Sequence, residues 1–161
     1  MAGALEGIRV IDFGQYIAGP LAAMFLADQG ADVIRVDPPA GPRWRTPANA
    51  TWNRGKRSIA LDLQQPGDRE VARRLIASAD VVIENFRPGV MERLGLGPAA
   101  MTAAHPRLIY CSLPGFASDD PRAATPAWEG VIAAATGTYR EGPAAEGAAP
   151  MFTAIPIAST F

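Results

Sequence analysis

Between residues 38 and 57, Arg43, Arg45, Arg54, Lys56 and Arg57 are interleaved with Trp44 and Trp52. Cations beside indole rings suit a phosphorylated ligand that also carries an aromatic ring: the cations meet the phosphates and the rings stack. A solvated basic loop anchored by two tryptophans accounts for the same residues, because charge runs are mostly solvated faces. A second feature suited to anions is the stretch 7–20, GIRVIDFGQYIAGP. A strand that turns tightly into a helix leaves backbone N–H groups at the strand's carboxyl end, where a nucleotide phosphate fits. The same arrangement recurs at Asn85-Phe86-Arg87-Pro88-Gly89, with a basic residue in the turn. Residues for other chemistry are sparse. His105, the single histidine, precedes Pro106 and reads as a surface cap on a helix end, and the late carboxylates are Glu129, Glu141 and Glu146.

These residues need elements to position them. Ile8, Val10 and Ile11 are β-branched within a run apolar on both faces, the pattern of a strand buried on both sides. Gly14, Gly19 and Pro20 supply the turn and the helix start. A buried helix over 21–27, with Gly30 as its C-cap, precedes a second strand over 31–37 that Pro38-Pro39 stops. Strand, helix and strand this close make a right-handed βαβ unit with a parallel sheet. Asp37 ends the second strand, where a dinucleotide fold would meet a ribose, but the first turn is FGQYIAGP and not GxGxxG. A nicotinamide or flavin enzyme is therefore the weakest reading. Residues 38–57 read as loop. Strands are expected over 58–63, 79–84 and 108–113. Helices are expected from Pro66 through Ile76, over 90–94, over 98–104 and over 128–136, the last closed by Gly137. The fold class is α/β: an open, mostly parallel, Rossmann-like sheet flanked by helices.

The chain has 161 residues, 48% apolar, enough for a core. Charged residues make up 19%, below the usual quarter, which implies surface covered by another part or chain. A net charge of −1 and the lack of a charge block argue against nucleic acid as partner. Cys111 alone excludes an internal disulfide and fits a reducing cytoplasm. The start MAGALEGIRV lacks the features of a signal peptide, and no apolar stretch spans a bilayer, so no membrane partner is expected.

Five stretches, GIRVIDFGQYIAGP, LADQGADVIRVDPPAG, NRGKRSIALDL, ADVVIENFRPGVMERLGLG and PRLIYCSLPGF, fall in the order and spacing of one family. The chain resembles the family III CoA-transferases of the CaiB/BaiF type, which include the α-methylacyl-CoA racemases. The resemblance implies that the chain corresponds to the amino-terminal portion of a protein more than twice as long, whose two chains interlock. A homodimer, or a fused or partnered second unit, is expected, and the isolated piece should expose apolar surface and associate. Residues 1–117 would be the coenzyme-binding Rossmann-like part of the large domain. Residues 118–161 would hold a linker, an Ala-rich helix and the start of the active-site segment.

The resemblance also implies coenzyme A as ligand, with acyl-CoA and a small carboxylic acid as substrates and no metal. By position, Gln15, Tyr16 and Ala18 match the first CoA-contacting turn. Lys56 matches a loop lysine near the phosphates. Asn85 and Phe86 match the turn beside adenosine and pantetheine, and Arg93 and Leu94 the short helix after it. Each has a plainer reading: Lys56 and Arg93 as exposed charges, Phe86 as core, Asn85 as a turn former.

Family transferases use an aspartate that attacks the thioester to give a mixed anhydride. Ser159 occupies that slot here, and serine would give an ester, a sink for CoA transfer. The racemase histidine would fall near Trp128. No catalytic residue is therefore assigned, and no Asp follows Asp120. Glu129 reads as a helix N-terminal charge. The expected function is binding of CoA or acyl-CoA and transfer of CoA between carboxylic acids. The alternatives are a non-catalytic acyl-CoA-binding or assembly module and a racemase-like protein.

Overall fold

The computed structural model describes residues 3–42 and 46–138. In chain order the elements are β1 (Arg9–Asp12), α1 (Ala18–Asp28), β2 (Asp32–Asp37), α2 (Pro47–Trp52), β3 (Arg57–Ala60) and α3 (Pro66–Ala77). There follow β4 (Val81–Glu84), α4 (Val90–Arg93), α5 (Pro98–Ala104), β5 (Ile109–Ser112) and α6 (Glu129–Ala135). The five strands form one sheet in the order β3-β2-β1-β4-β5. Every pairing is parallel, with Ile11 opposite Ile34 on one side and Val82 on the other.

β1 is the central strand, and Val10, Ile11 and Asp12 are fully buried. This is the two-sided burial that its apolar run implies. On one face Val10, Val33 and Ile83 pack with Ala23 of α1. On the other, Ile11, Val36 and Val82 pack with Ala72 and Ile76 of α3, Met91 of α4 and Met101 of α5. In α3 the spacing of Val71, Ala72, Leu75 and Ile76 lays one stripe on the sheet, and Ile76 is fully buried.

The expected α/β architecture is present, with two local corrections. Residues 47–52, expected as loop, form α2: Thr46 is its extended N-cap and Pro47 opens the first turn, where a missing N–H costs nothing. Strand β3 stops at Ala60 rather than 63, because Asp62 turns the chain by accepting the Gln64 N–H at 3.0 Å. Gly30 follows α1 at φ +99° and Gly137 follows α6 at φ +69°, as left-handed helix stops. The expectations on Arg43, Trp44, Arg45, Glu141, Glu146 and Ser159 lie outside the described residues.

Candidate functional site

Strand order places the site. The chain walks from β1 outward to β2 and β3, then returns to the other side of β1 for β4 and β5. Connections therefore diverge between β1 and β4, and in open α/β sheets the crevice at such a point takes the ligand. A cleft of about 660 Å³ opens there, at the carboxyl ends of the strands. That volume is within the range of small-molecule sites.

The β1–α1 turn forms one wall through Phe13, Gln15, Tyr16 and Ala18. Its shape rests on side chains beneath and beside it. Asp12, fully buried, accepts the Gly14 N–H at 2.8 Å through Oδ1. Asn85 accepts the Gln15 N–H at 2.7 Å and donates to the Gln15 carbonyl at 2.8 Å. Tyr16 lies at φ +69°, the one described non-glycine residue in the left-handed region. That conformation costs roughly 1–2 kcal/mol and persists because the bonds at Gly14 and Gln15, just before it, fix the turn. Among the described residues no side chain caps α1 at its N-cap Ile17, so its first turn offers backbone donors at the cleft edge.

The β4–α4 turn forms the facing wall through Asn85, Phe86, Arg87 and Pro88, followed by Val90, Arg93 and Leu94. Glu84, 7% exposed, accepts the Phe86 N–H at 2.8 Å and sets this turn from within. Phe86 reconciles its two sequence readings: it packs against the core and also lines the cleft. Neither Arg87 nor Arg93 forms an ion pair among the described residues, so both guanidinium groups keep their charge for an anion.

Lys56 is placed differently from its fellow candidates and does not line the cleft. Its ammonium donates to Asp12 Oδ2 at 2.8 Å, to the Pro20 carbonyl at 2.7 Å and to Asn53 Oδ1 at 3.2 Å. The side chains of the pair are 1% and 0% exposed. Burial pushes the Lys56 ammonium below the ordinary lysine pKa, and the Asp12 carboxylate opposes that shift. Nearby, the buried Arg35 pairs with the half-buried Asp37 at 2.8 Å.

Several lining residues were not singled out in the sequence: Leu61 to Gln64 follow β3, Pro114 and Gly115 follow β5, and Ile132 lies in α6. Trp128 and Glu129, read in the sequence as the slot of the racemase histidine and as a helix N-terminal charge, line the cleft as well. The rule that ligands meet strand carboxyl ends pointed to these loops but not to particular side chains within them. Asp37 also lines the cleft, with Arg35 bonded to its Oδ1. His105 sits at the C-cap of α5, away from the cleft. Among the described residues no group of three metal-ligating side chains occurs, and no helix is long and apolar enough to cross a membrane.

The sequence profile described as CoA-transferase family III matches residues 5–160. The chain is 46% identical over 161 residues to the CoA-transferase/lyase DddD of Marinomonas sp. (strain MWYL1), covering 98% of this chain and 19% of that protein. It is 50% identical over 113 residues to the α-methylacyl-CoA racemase of Homo sapiens, covering 70% of this chain and 28% of the racemase. A crystal structure of Rv3272 from Mycobacterium tuberculosis superposes with a TM-score of 0.87 at 38% identity, covering 99% of this chain and 46% of that one. The chain thus spans less than half the length of each of these relatives. With the motifs and the parallel sheet in agreement, the chain belongs to CoA-transferase family III.

Proposed function

We propose that the chain binds coenzyme A or an acyl-CoA thioester in the switch-point cleft, and that the protein transfers CoA between carboxylic acids. The observation that carries this reading is the meeting, in one cleft, of apolar walls with Arg87 and Arg93, neither of which forms an ion pair among the described residues. Coenzyme A asks for that combination: phosphates need cations, while adenine and pantetheine need apolar surface. Gln15, Tyr16, Ala18, Asn85, Phe86, Arg93 and Leu94 are the proposed contacts. Residues 1–117 supply the binding layer, and residues 118–161 lead into the active-site segment. Acetyl-CoA:oxalate and succinate–glutarate CoA-transferases are among the relatives, which supports a small carboxylic acid as the second substrate.

In such a transfer a carboxylate attacks the thioester carbonyl and the thiolate leaves; the returning thiolate then attacks the other carbonyl of the anhydride, forming the new thioester and releasing the donor's acyl group as a free carboxylate. Ser159 in the slot of the family aspartate favours a second reading, an acyl-CoA-binding module that leaves the chemistry to a second unit. Incubation with an acyl-CoA and a free carboxylic acid, followed by mass spectrometry of the thioesters, tests both. New acyl-CoA supports the transferase. Bound CoA without exchange supports the module, and the absence of both sinks the coenzyme reading.

A further inference from the structure

Lys56 stands beside the proposed coenzyme site without entering it. An ammonium has three N–H donors, and all three are engaged by Asp12, Pro20 and Asn53. Nothing remains for a phosphate unless one of these bonds is given up inside a nearly dry site. The acceptors share a pattern. Asp12 ends β1 and holds the Gly14 N–H with its other oxygen. Pro20 lies in the first turn of α1, and Asn53 follows α2. Lys56 therefore ties together the two ends of the turn that carries Gln15, Tyr16 and Ala18. Through Asn53, whose Nδ2 donates to the Asn49 carbonyl at 2.7 Å, it also ties that turn to α2.

Resting on the coenzyme reading, we infer that Lys56 and Asp12 are a positioning pair for the coenzyme-binding turn, and that Lys56 is not itself a phosphate ligand. The pair presets the Gly14–Ala18 backbone, so its effect on affinity passes through the turn. That effect is independent of how many phosphates the ligand carries.

The test compares the full chain with Lys56→Met and with the double variant Asp12→Asn/Lys56→Met. The single variant leaves a buried carboxylate unpaired and can fail to fold. The double variant removes both charges and keeps an acceptor for the Gly14 N–H, so it is the folded reference. Two measurements are made: titration with CoA, with 3′-dephospho-CoA and with phosphate-free pantetheine, and hydrogen exchange at the Gly14 and Gln15 amides without ligand. The double variant should bind both coenzymes more weakly by the same factor, roughly ten- to a hundredfold. Its turn amides should exchange faster while those of Val82 and Ile83 in β4 do not. Loss of affinity for CoA alone, with dephospho-CoA unchanged, or for both coenzymes with pantetheine unchanged, would show a direct contact to the 3′-phosphate or to the diphosphate and overturn the inference. Unchanged affinity for both in a folded double variant overturns it as well. If the wild-type chain binds neither coenzyme, the coenzyme reading fails separately. Turn exchange then still decides the clamp: faster exchange supports it and unchanged exchange overturns it.

Discussion

Asn85 holds the Gln15 peptide from both ends, accepting from its N–H at 2.7 Å and donating to its carbonyl at 2.8 Å. One side-chain amide thereby bridges the turns after β1 and β4, whose parallel pairing forms the switch point. Both walls of the cleft depend on this bridge. Replacing Asn85 with Ala strands two backbone groups in a half-buried site, at about 1–3 kcal/mol. Asn85→Ala should lower the unfolding midpoint and weaken CoA binding by roughly tenfold or more. Asn85→Asp keeps the acceptor and loses the donor, and should fall between Ala and wild type in both calorimetry and titration.

The sheet was legible because its strands are short apolar runs punctuated by Gly and Pro, as at Ile8 to Ile11 before Gly14. The helix starts at Pro66 and Pro98 could be read to the residue, since proline at the first helical position leaves little freedom. Residues 47–52 were not legible: PANATW has no apolar stripe, and the helix rests on its cap and first-turn proline. At the site, sequence position brought Gln15, Tyr16, Ala18, Asn85, Phe86, Arg93 and Leu94 to one cleft. It could not distinguish a lysine aimed at a ligand from one aimed at a buried carboxylate. That difference depends on where Asp12 points, 44 residues away along the chain.

Gly14 and Gly19 meet backbone to backbone across the β1–α1 turn. A Cβ built on Gly19 would lie 2.7 Å from the Gly14 Cα, and one on Gly14 would lie 2.7 Å from the Gly19 Cα. No side-chain rotation relieves a clash with main chain, so the turn must open. Gly19→Ala should destabilise the fold by about 1–3 kcal/mol and abolish coenzyme binding. Gly67 in α3 is the control, because its added methyl would meet nothing within 4 Å. Gly67→Ala should stabilise by up to about 1 kcal/mol with binding unchanged. Urea unfolding and calorimetric titration of the two variants check both signs.

Arg93 makes no ion pair among the described residues and lines the cleft. If it meets a phosphate, Arg93→Ala should weaken CoA binding by about tenfold, the worth of one charge-assisted hydrogen bond. The dependence of affinity on salt should also become shallower, since one screened attraction is gone. Pantetheine, which carries no phosphate, should bind wild type and variant alike. A variant that loses pantetheine affinity as well would make Arg93 a wall of the cleft and not an anion contact.

Asp32 lies between two arginines at the amino end of β2. Arg57 Nη2 reaches its oxygens at 2.6 and 2.7 Å, and Arg9 Nε reaches Oδ2 at 3.0 Å. The Arg57 hydrogen bonds hold the Asp32 carboxyl below its usual 3.8, with burial opposing and Arg9 adding to the effect. A carboxyl with a lowered folded pKa contributes stability that is complete above the unfolded value and is lost as pH falls through the folded one. The window therefore lies below 3.8. The carboxylate side chain is 36% exposed, so solvent screening keeps the contribution under about 1 kcal/mol. Wild type should exceed Asp32→Asn in urea stability by that margin near about pH 7, and the gap should close near about pH 2. A gap that persisted in acid would mean that the substitution acts through strand packing and not through charge.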